Sequence, residues 1–334
     1  MTTGFTRGRE GDFIETIEGL IFDVKGLIHP PDRIISFLRY VPSPDGDRER
    51  KGVRYKKIYN LKQRWNFLRR YFPGYIHFDD YFGRELQGVP LENVHSHYDP
   101  SRRLSEPSND EVELDAIQLA RRLIDAAGVR TTSVGISGSV LVGLQEPESD
   151  VDIIIYGIGN SRRVYQALRN AMSSGDMFEA YDIDDLGRLF KSRSMERAMK
   201  FDDFCTHERR KVLQGNFKGR DYFVRCIRDW DEIREPYGSF TCQRLGRKKI
   251  SAIVSDDSES IFTPCTYEVE KVSMIDRSDP APKQILSFRG RFCEQAKTGE
   301  RITAYGDLEH VSTKNDEYYQ LVVGESSLDF IVFS

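Results

Sequence analysis

Two aspartates open an apolar stretch in this chain, Asp150-Val151-Asp152-Ile153-Ile154-Ile155-Tyr156. About ten residues earlier stands a small-residue turn, Ser137-Gly138-Ser139, leading into Val140-Leu141-Val142. Carboxylate oxygens are the ligands that hard divalent cations take. A glycine-containing turn entering a helix lets backbone N–H groups approach phosphate oxygens. Together these parts suit a metal-assisted attack on a nucleoside triphosphate.

The spacing supports that chemistry. Side chains alternate along a strand, so Asp150 and Asp152 share one face, with Cα atoms roughly 6.5 Å apart. Carboxylates leaning inward from there reach a metal pair about 3.5–4 Å apart. Val151, Ile153 and Ile155 take the opposite face and anchor the strand in a core. Ile154 continues the aspartate face, so only the start of the strand has to meet solvent.

On these residues the chain resembles the polymerase-beta-like nucleotidyltransferase superfamily. The signature there is Gly-Ser, a gap of about ten residues, then Asp-x-Asp on a strand. The specific resemblance covers Val134 to Gly157, with a weaker one reaching to Trp230. The whole chain is also similar to uncharacterised archaeal proteins predicted to be nucleotidyltransferases. The resemblance implies a catalytic centre of Asp150, Asp152 and a third carboxylate on a later strand. Asp221 is chosen because it opens the next plausible strand; Asp182, Asp184 and Asp185 are rivals at a helix entry. All three catalytic aspartates would serve as metal ligands, for Mg²⁺ by default and Mn²⁺ as an alternative. Gly138 and Ser139 would bind the β- and γ-phosphates of ATP or another nucleoside triphosphate. The implied reaction is attack of an acceptor hydroxyl on the α-phosphorus, releasing pyrophosphate.

The positioning elements can be read outward from that centre. Thr131–Ile136 predicts a strand, Gly138–Leu144 a helix, Asp150–Tyr156 a strand, and Ser161 a helix cap. Asp184–Leu213 reads as charged and helical, and Arg220–Arg228 as a strand. The fold class is therefore α/β (α+β), with a mixed sheet in the central domain at 106–235. Upstream, Ser108-x-x-Glu111 predicts a capping box before a helix whose apolar positions are Val112, Ala116, Leu119, Leu123 and Ala127.

Residues 1–105 read as an N-terminal α+β region. Strands are expected on both sides of Glu18-Gly19, over Arg33–Val41 and over Val53–Tyr59, with a helix over Leu61–Tyr71. Residues 236–334 read as a small β-barrel, OB-like by analogy, with short strands beginning near Ile250. The turn-rich stretch Asp99–Glu111 marks the first boundary.

A net charge of −4 gives no global nucleic-acid signal, but one segment departs from it. Arg48, Arg50, Lys51, Arg54, Lys56 and Lys57 stand close together, followed by Lys62, Arg64, Arg69 and Arg70, with Tyr55, Tyr59 and Trp65 interleaved. Such a segment can track the backbone of RNA or DNA and stack its bases. The competing reading is a strand and helix with solvated basic faces. Leu61, Trp65, Leu68 and Phe72 fall at helical spacing. His95-Ser96-His97, Arg209-Arg210-Lys211 and Arg247-Lys248-Lys249 read as exposed polar or basic runs, the last as a turn before the Ile250 strand.

Five scattered cysteines with no Cys-x-x-Cys pair suggest buried reduced thiols and a cytoplasmic location. No apolar run approaches the roughly 20 residues needed to span a bilayer, so no membrane partner is expected.

Overall fold

The computed structural model describes residues 7–175, 177–193, 195, 198–233, 235–274 and 280–333. In chain order the N-terminal elements are β1 (Phe13–Thr16), β2 (Ile21–Val24), β3 (Arg33–Pro42), β4 (Arg48–Arg50), β5 (Val53–Lys57) and α1 (Leu61–Tyr71). Then come β6 (Ile76–Asp79), β7 (Arg84–Pro90), β8 (Val94–Tyr98), α2 (Pro100–Arg103) and α3 (Glu111–Ala127). The central elements are β9 (Val134–Ile136), α4 (Gly138–Leu141), β10 (Val151–Tyr156), α5 (Ile158–Ser174), β11 (Phe178–Glu179), α6 (Ile183–Ser192), α7 (Phe201–Glu208), β12 (Gln214–Phe217) and β13 (Arg220–Ile227). The C-terminal strands are β14 (Phe240–Asp256), β15 (Cys265–Met274), β16 (Gln284–Ser287), β17 (Arg301–Thr313), β18 (Glu317–Val322) and β19 (Phe330–Phe333).

The chain divides into two compact units, neither continuous in sequence. The first holds residues 1–79, 84–167 and 219–237; the second holds 80–83, 168–218 and 238–334. Both sides of the turn-rich stretch at 99–111 belong to the first unit.

In the first unit, β1–β8 make an antiparallel sheet in which β4, β5, β3, β2, β1 and β8 lie in that order, with β7 also on β3. Period-2 alternation gives this sheet two apolar faces. Ile14, Phe22, Val24, Ile34 and Leu38 turn to one face, where Leu68 and Phe67 of α1 cover them. Phe13, Ile21, Tyr40 and Tyr55 turn to the other, against Leu141, Val142 and Leu144. The second core ties the sheet to α4 and so to the Gly138 turn.

The alternation breaks once, at Arg39. Ile21 pairs with Tyr40 but the next residue, Phe22, pairs with Leu38, so Arg39 is the extra residue of a β-bulge. Leu38 and Val41, three apart, consequently reach the same core, while Tyr40 reaches the opposite one. Bulges of this kind re-aim side chains.

β9, β10 and β13 form a mixed arrangement, antiparallel between β9 and β10 and parallel between β10 and β13. α3 runs as expected, with Val112, Ala116, Leu119 and Leu123 buried and Gly128 closing it at φ 60°. Its cap differs: Asp110, not Ser108, accepts from the Glu113 N–H at 3.0 Å. The helix after Gly138 is also shorter than expected, ending at Leu141, because Gly143 takes φ 65° and turns the chain. Ser161 does not cap α5; it lies one turn inside that helix and is fully buried.

The second unit contains α6, α7, the antiparallel β11–β12 pair that brackets them in sequence, and a barrel. Its strands close in the order β14-β15-β16-β18-β17 and back to β14, with β19 attached to β17 and with β16 parallel to β18. β14 begins at Phe240, so Arg247-Lys248-Lys249 sits inside a strand rather than in a turn. The second unit also buries a charged knot. Glu208 accepts from Lys211 at 2.7 Å and from Arg193 at 2.9 Å. Burial would raise the Glu208 carboxyl, but the two cations outweigh it and bring it to about 2. No helix among the described residues is long and apolar enough to cross a membrane. The five cysteines are free thiols, four of them buried.

Candidate active site

Asp150 lies one residue before β10 and is exposed, while Asp152, inside the strand, is half-buried. Burial first, and the neighbouring Asp150 charge second, push the Asp152 carboxyl up to about 6. Neither carboxylate has a hydrogen bond or ion pair among the described residues. The two are thus an electrostatically unfavourable pair with no contact counterion among the described residues.

The Gly138 turn is built around this pair. The Ser137 N–H donates to the Asp152 carbonyl at 2.8 Å, fixing the turn against β10. Gly138 follows at φ 66°, and a Cβ there would overlap Asp152 Oδ2 and lie 3.0 Å from its Cγ. Only glycine lets the backbone lie so close to the carboxylate. Ser139 is 4% exposed, and its hydroxyl has no hydrogen-bond partner among the described residues. Buried hydroxyls are normally satisfied, and this one leaves its hydrogen-bonding capacity available next to the Gly138 turn.

Asp221 is the second residue of β13 and is exposed. β13 pairs with β10 in parallel, Val151 beside Tyr222 and Asp152 beside Phe223, so the register carried back one residue sets Asp221 beside Asp150. The three aspartates share a face. They do not form a closed group: among the described residues no three His, Cys, Asp or Glu side chains gather as a metal cluster. The rivals behave as helix caps, Asp182 and Asp185 closing a reciprocal capping box on α6. Arg220 braces the approach, donating to Asp115 at 2.8 Å and to the Ser149 carbonyl at 3.1 Å.

Sequence reasoning missed the cations around this centre. Lys57 pairs across the ladder with Tyr40, and the bulge sends Arg39 toward the same side of the sheet. Both side chains are half-buried and act electrostatically on Asp150 and Asp152. Arg225, two residues beyond the lateral partner of Asp152, lowers the Asp152 carboxyl as well. A sequence signal existed for Arg39: it is the lone charge within Ile34-Ile35-Ser36-Phe37-Leu38-Arg39-Tyr40-Val41.

Behind these groups lies a buried ion network. Glu10, fully buried, accepts from Lys25 at 3.0 Å, from the Gly26 N–H at 2.6 Å and from Arg225. Lys25 reaches Asp23 at 2.8 Å. Burial raises the Asp23 carboxyl, but Lys25, Arg225 and Arg39 outweigh it and hold it low. Glu10→Gln leaves Lys25 and Arg225 without their shared anion, so it should cost about 2–4 kcal/mol, somewhat moderated by their partial exposure. Urea denaturation of the full chain measures it; a loss under about 0.5 kcal/mol would show the network to be dispensable.

The basic segment resolves into two classes. Arg48 and Arg50 are corrected from candidate nucleic-acid contacts to internal struts. Arg48 is 6% exposed and donates to the Leu144 carbonyl. Arg50 pairs with Glu15 at 2.7 Å and donates to Tyr98 and to the Val142 carbonyl. Arg64 is likewise buried, donating to the Ile58 carbonyl at 2.9 Å. Lys51, Arg54 and Lys56 remain exposed. In the other basic runs three side chains are spent internally: Arg210 on Glu300, Lys211 on Glu208, and Arg247 on Asp307 and Asp329. His97 meets Asp12 at 2.8 Å and His95 meets Ser96 at 2.9 Å.

The chain is 31% identical over 325 residues to the protein of Methanocaldococcus jannaschii named Uncharacterized protein MJ1086, covering 93% of this chain and 94% of that one. No family model matches the chain, and no solved structure matches it.

Proposed function

We propose that this chain, which belongs to the family of that archaeal protein, is a metal-dependent nucleotidyltransferase. It would move a nucleoside monophosphate from a nucleoside triphosphate to an acceptor hydroxyl and release pyrophosphate. The observation that carries this reading is the bare pair Asp150 and Asp152, packed against Gly138 and beside the orphan Ser139 hydroxyl. Such a pair fits Mg²⁺, which is commonly held by one or two carboxylates together with substrate phosphates and waters. The likeness to the polymerase-beta-like superfamily supports the same assignment.

When bound, Mg²⁺ or Mn²⁺ would offset charge on the phosphates and orient the attacking and leaving oxygens. The chain's own residues do the remainder. Asp150 and Asp152 would hold the metal. Gly138 leaves room for close backbone approach, and Ser139 supplies a hydroxyl to a phosphate oxygen. Asp221, on the same face near the start of β13, would take the acceptor's proton as its oxygen bonds to the α-phosphorus. The bond to the β-phosphate oxygen breaks, and pyrophosphate leaves with that electron pair.

Incubating the full chain with each labelled nucleoside triphosphate, Mg²⁺ and a cell-extract acceptor pool tests the reading. Metal-dependent pyrophosphate release with label transfer is expected; absence of release with all four nucleotides would reject it.

For the acceptor, a nucleic-acid end is the favoured class. The strand order of the second unit supports the OB-like expectation, and such barrels commonly bind oligonucleotides. Since Arg48 and Arg50 are internal, the remaining contacts would be Lys51, Arg54 and Lys56. Neutralising these three together should reduce the log–log salt slope of RNA or DNA binding by about 2–3 units. An unchanged slope, with transfer activity intact, would favour a protein or small-molecule acceptor instead.

A further inference from the structure

We infer that Arg39 and Lys57 form a phosphate clamp, contributed by the N-terminal sheet, that holds the β- and γ-phosphates of the nucleoside triphosphate. The inference rests on the nucleotidyltransferase reading and extends it to residues outside the Gly-Ser and Asp-x-Asp signature.

Three observations converge on the pair. The first is placement. The bulge turns Arg39 out of its regular alternation and toward the side of the sheet that carries Tyr40. Lys57 is the cross-strand partner of Tyr40, so both cations leave the sheet on the face whose core includes Leu141, Val142 and Leu144. Those residues follow directly on Gly138 and Ser139.

The second is the absence of a contact partner for them, although the Arg39 charge also acts on the buried Asp23 from a distance. Among the described residues, the Arg39 guanidinium has no hydrogen bond and no ion pair within 4 Å. Lys57 has only the Tyr59 ring, 4.9 Å from its Nζ. Other half-buried cations of this unit are spent: Lys25 on Glu10 and Asp23, Arg50 on Glu15, Arg225 on Glu10. A half-buried arginine without a partner is costly unless a ligand supplies one.

The third is the sign of the surroundings. Arg39 and Lys57 act on Asp150 and Asp152 without closing to contact, as counterions of those carboxylates would. Positive groups standing off from an acidic pair leave room for a metal-bound polyanion between them. Arginine gives a planar fork suited to two phosphate oxygens, and lysine a compact charge for a third.

The test uses inorganic tripolyphosphate with Mg²⁺, a probe with no base or sugar, titrated calorimetrically into the full chain. Arg39→Gln and Lys57→Gln should each weaken binding about 10-fold or more, the range for losing one charge-assisted contact. The Arg39→Lys and Lys57→Arg variants keep the charge and should recover most of it, which a merely structural role would not require. Lys271→Gln, at an exposed position of β15, should bind as the parent does. Thermal melts identify any variant that fails to fold, in which case the charge-conserving partner decides. Parent binding with both Gln variants unchanged would overturn the clamp and leave the nucleotidyltransferase reading intact. A parent that binds neither tripolyphosphate nor any nucleoside triphosphate with Mg²⁺ would overturn both.

Discussion

Asp152→Asn should give a chain that is more stable than its parent in metal-free buffer at neutral pH and nearly devoid of transfer activity. Burial and the neighbouring Asp150 charge push the Asp152 carboxyl up to about 6 in the folded protein, above the ordinary aspartate range. The folded state therefore binds this proton more tightly than the unfolded state. Stability attributable to the group is greatest below pH 4 and falls as pH rises through 6, where the charge must be carried beside Asp150. At pH 7.5 an asparagine carries no such charge. Removing that charge from a half-buried site beside Asp150 should stabilise the folded chain by about 1–2 kcal/mol, the unsatisfied amide taking back part of the gain.

Metal reverses the ranking. Binding to the folded state alone raises the melting temperature of the parent. Asp152→Asn should show little such rise, and turnover should fall at least about 100-fold, the scale for losing one preorganised electrostatic group. In the parent, Mg²⁺ affinity should decline as pH falls through about 6, because proton and metal compete for the same oxygens. Melting curves with and without Mg²⁺ at pH 5.5 and 7.5 measure both effects. Equal destabilisation of the variant at either pH, with an unchanged metal response, would mean that Asp152 is a structural carboxylate.

How far the sequence disclosed this site depends on which interactions were local. Asp150 and Asp152 were legible because period-2 alternation is a one-strand property. The Gly138 turn was legible because a glycine between small residues before an apolar run is a local signal. The helix of α1 came out over the expected residues, yet its buried face did not. Arg64 lies inward with Leu68, since two backbone carbonyls of the preceding loop are waiting for its guanidinium. The fates of Arg48 and Arg50 were illegible for the same reason. Their acceptors are the Leu144 and Val142 carbonyls, more than 90 residues away. A basic run looks the same on paper whether its charges face solvent or a distant carbonyl. Arg39 was hidden differently: the bulge that aims it is a mismatch between two strands, and neither strand carries it alone.

Gly138→Ala provides the other large effect, and Gly143→Ala is its control. Both glycines take the left-handed conformation, at φ 66° and φ 65°. A side chain there costs about 1–2 kcal/mol in either case. The surroundings differ. At Gly143 a Cβ would meet the flexible Arg50 Cδ at 3.6 Å, an ordinary contact. At Gly138 it would overlap Asp152 Oδ2 and press on Cγ and Cβ at 3.0 and 3.1 Å. Asp152 cannot yield by backbone motion, since its carbonyl is held by the Ser137 N–H and its strand is paired on both sides. The carboxylate must rotate, and the arrangement of Asp150 and Asp152 that would hold a metal is lost. Both variants should thus melt lower by a similar amount, while only Gly138→Ala loses the Mg²⁺-dependent rise in melting temperature and the binding of nucleoside triphosphate. Matched loss of metal response in the two would trace the effect to backbone strain. Retained response in Gly138→Ala would show that the turn does not govern Asp152, and the phosphate role assigned to Gly138 and Ser139 would fall with it.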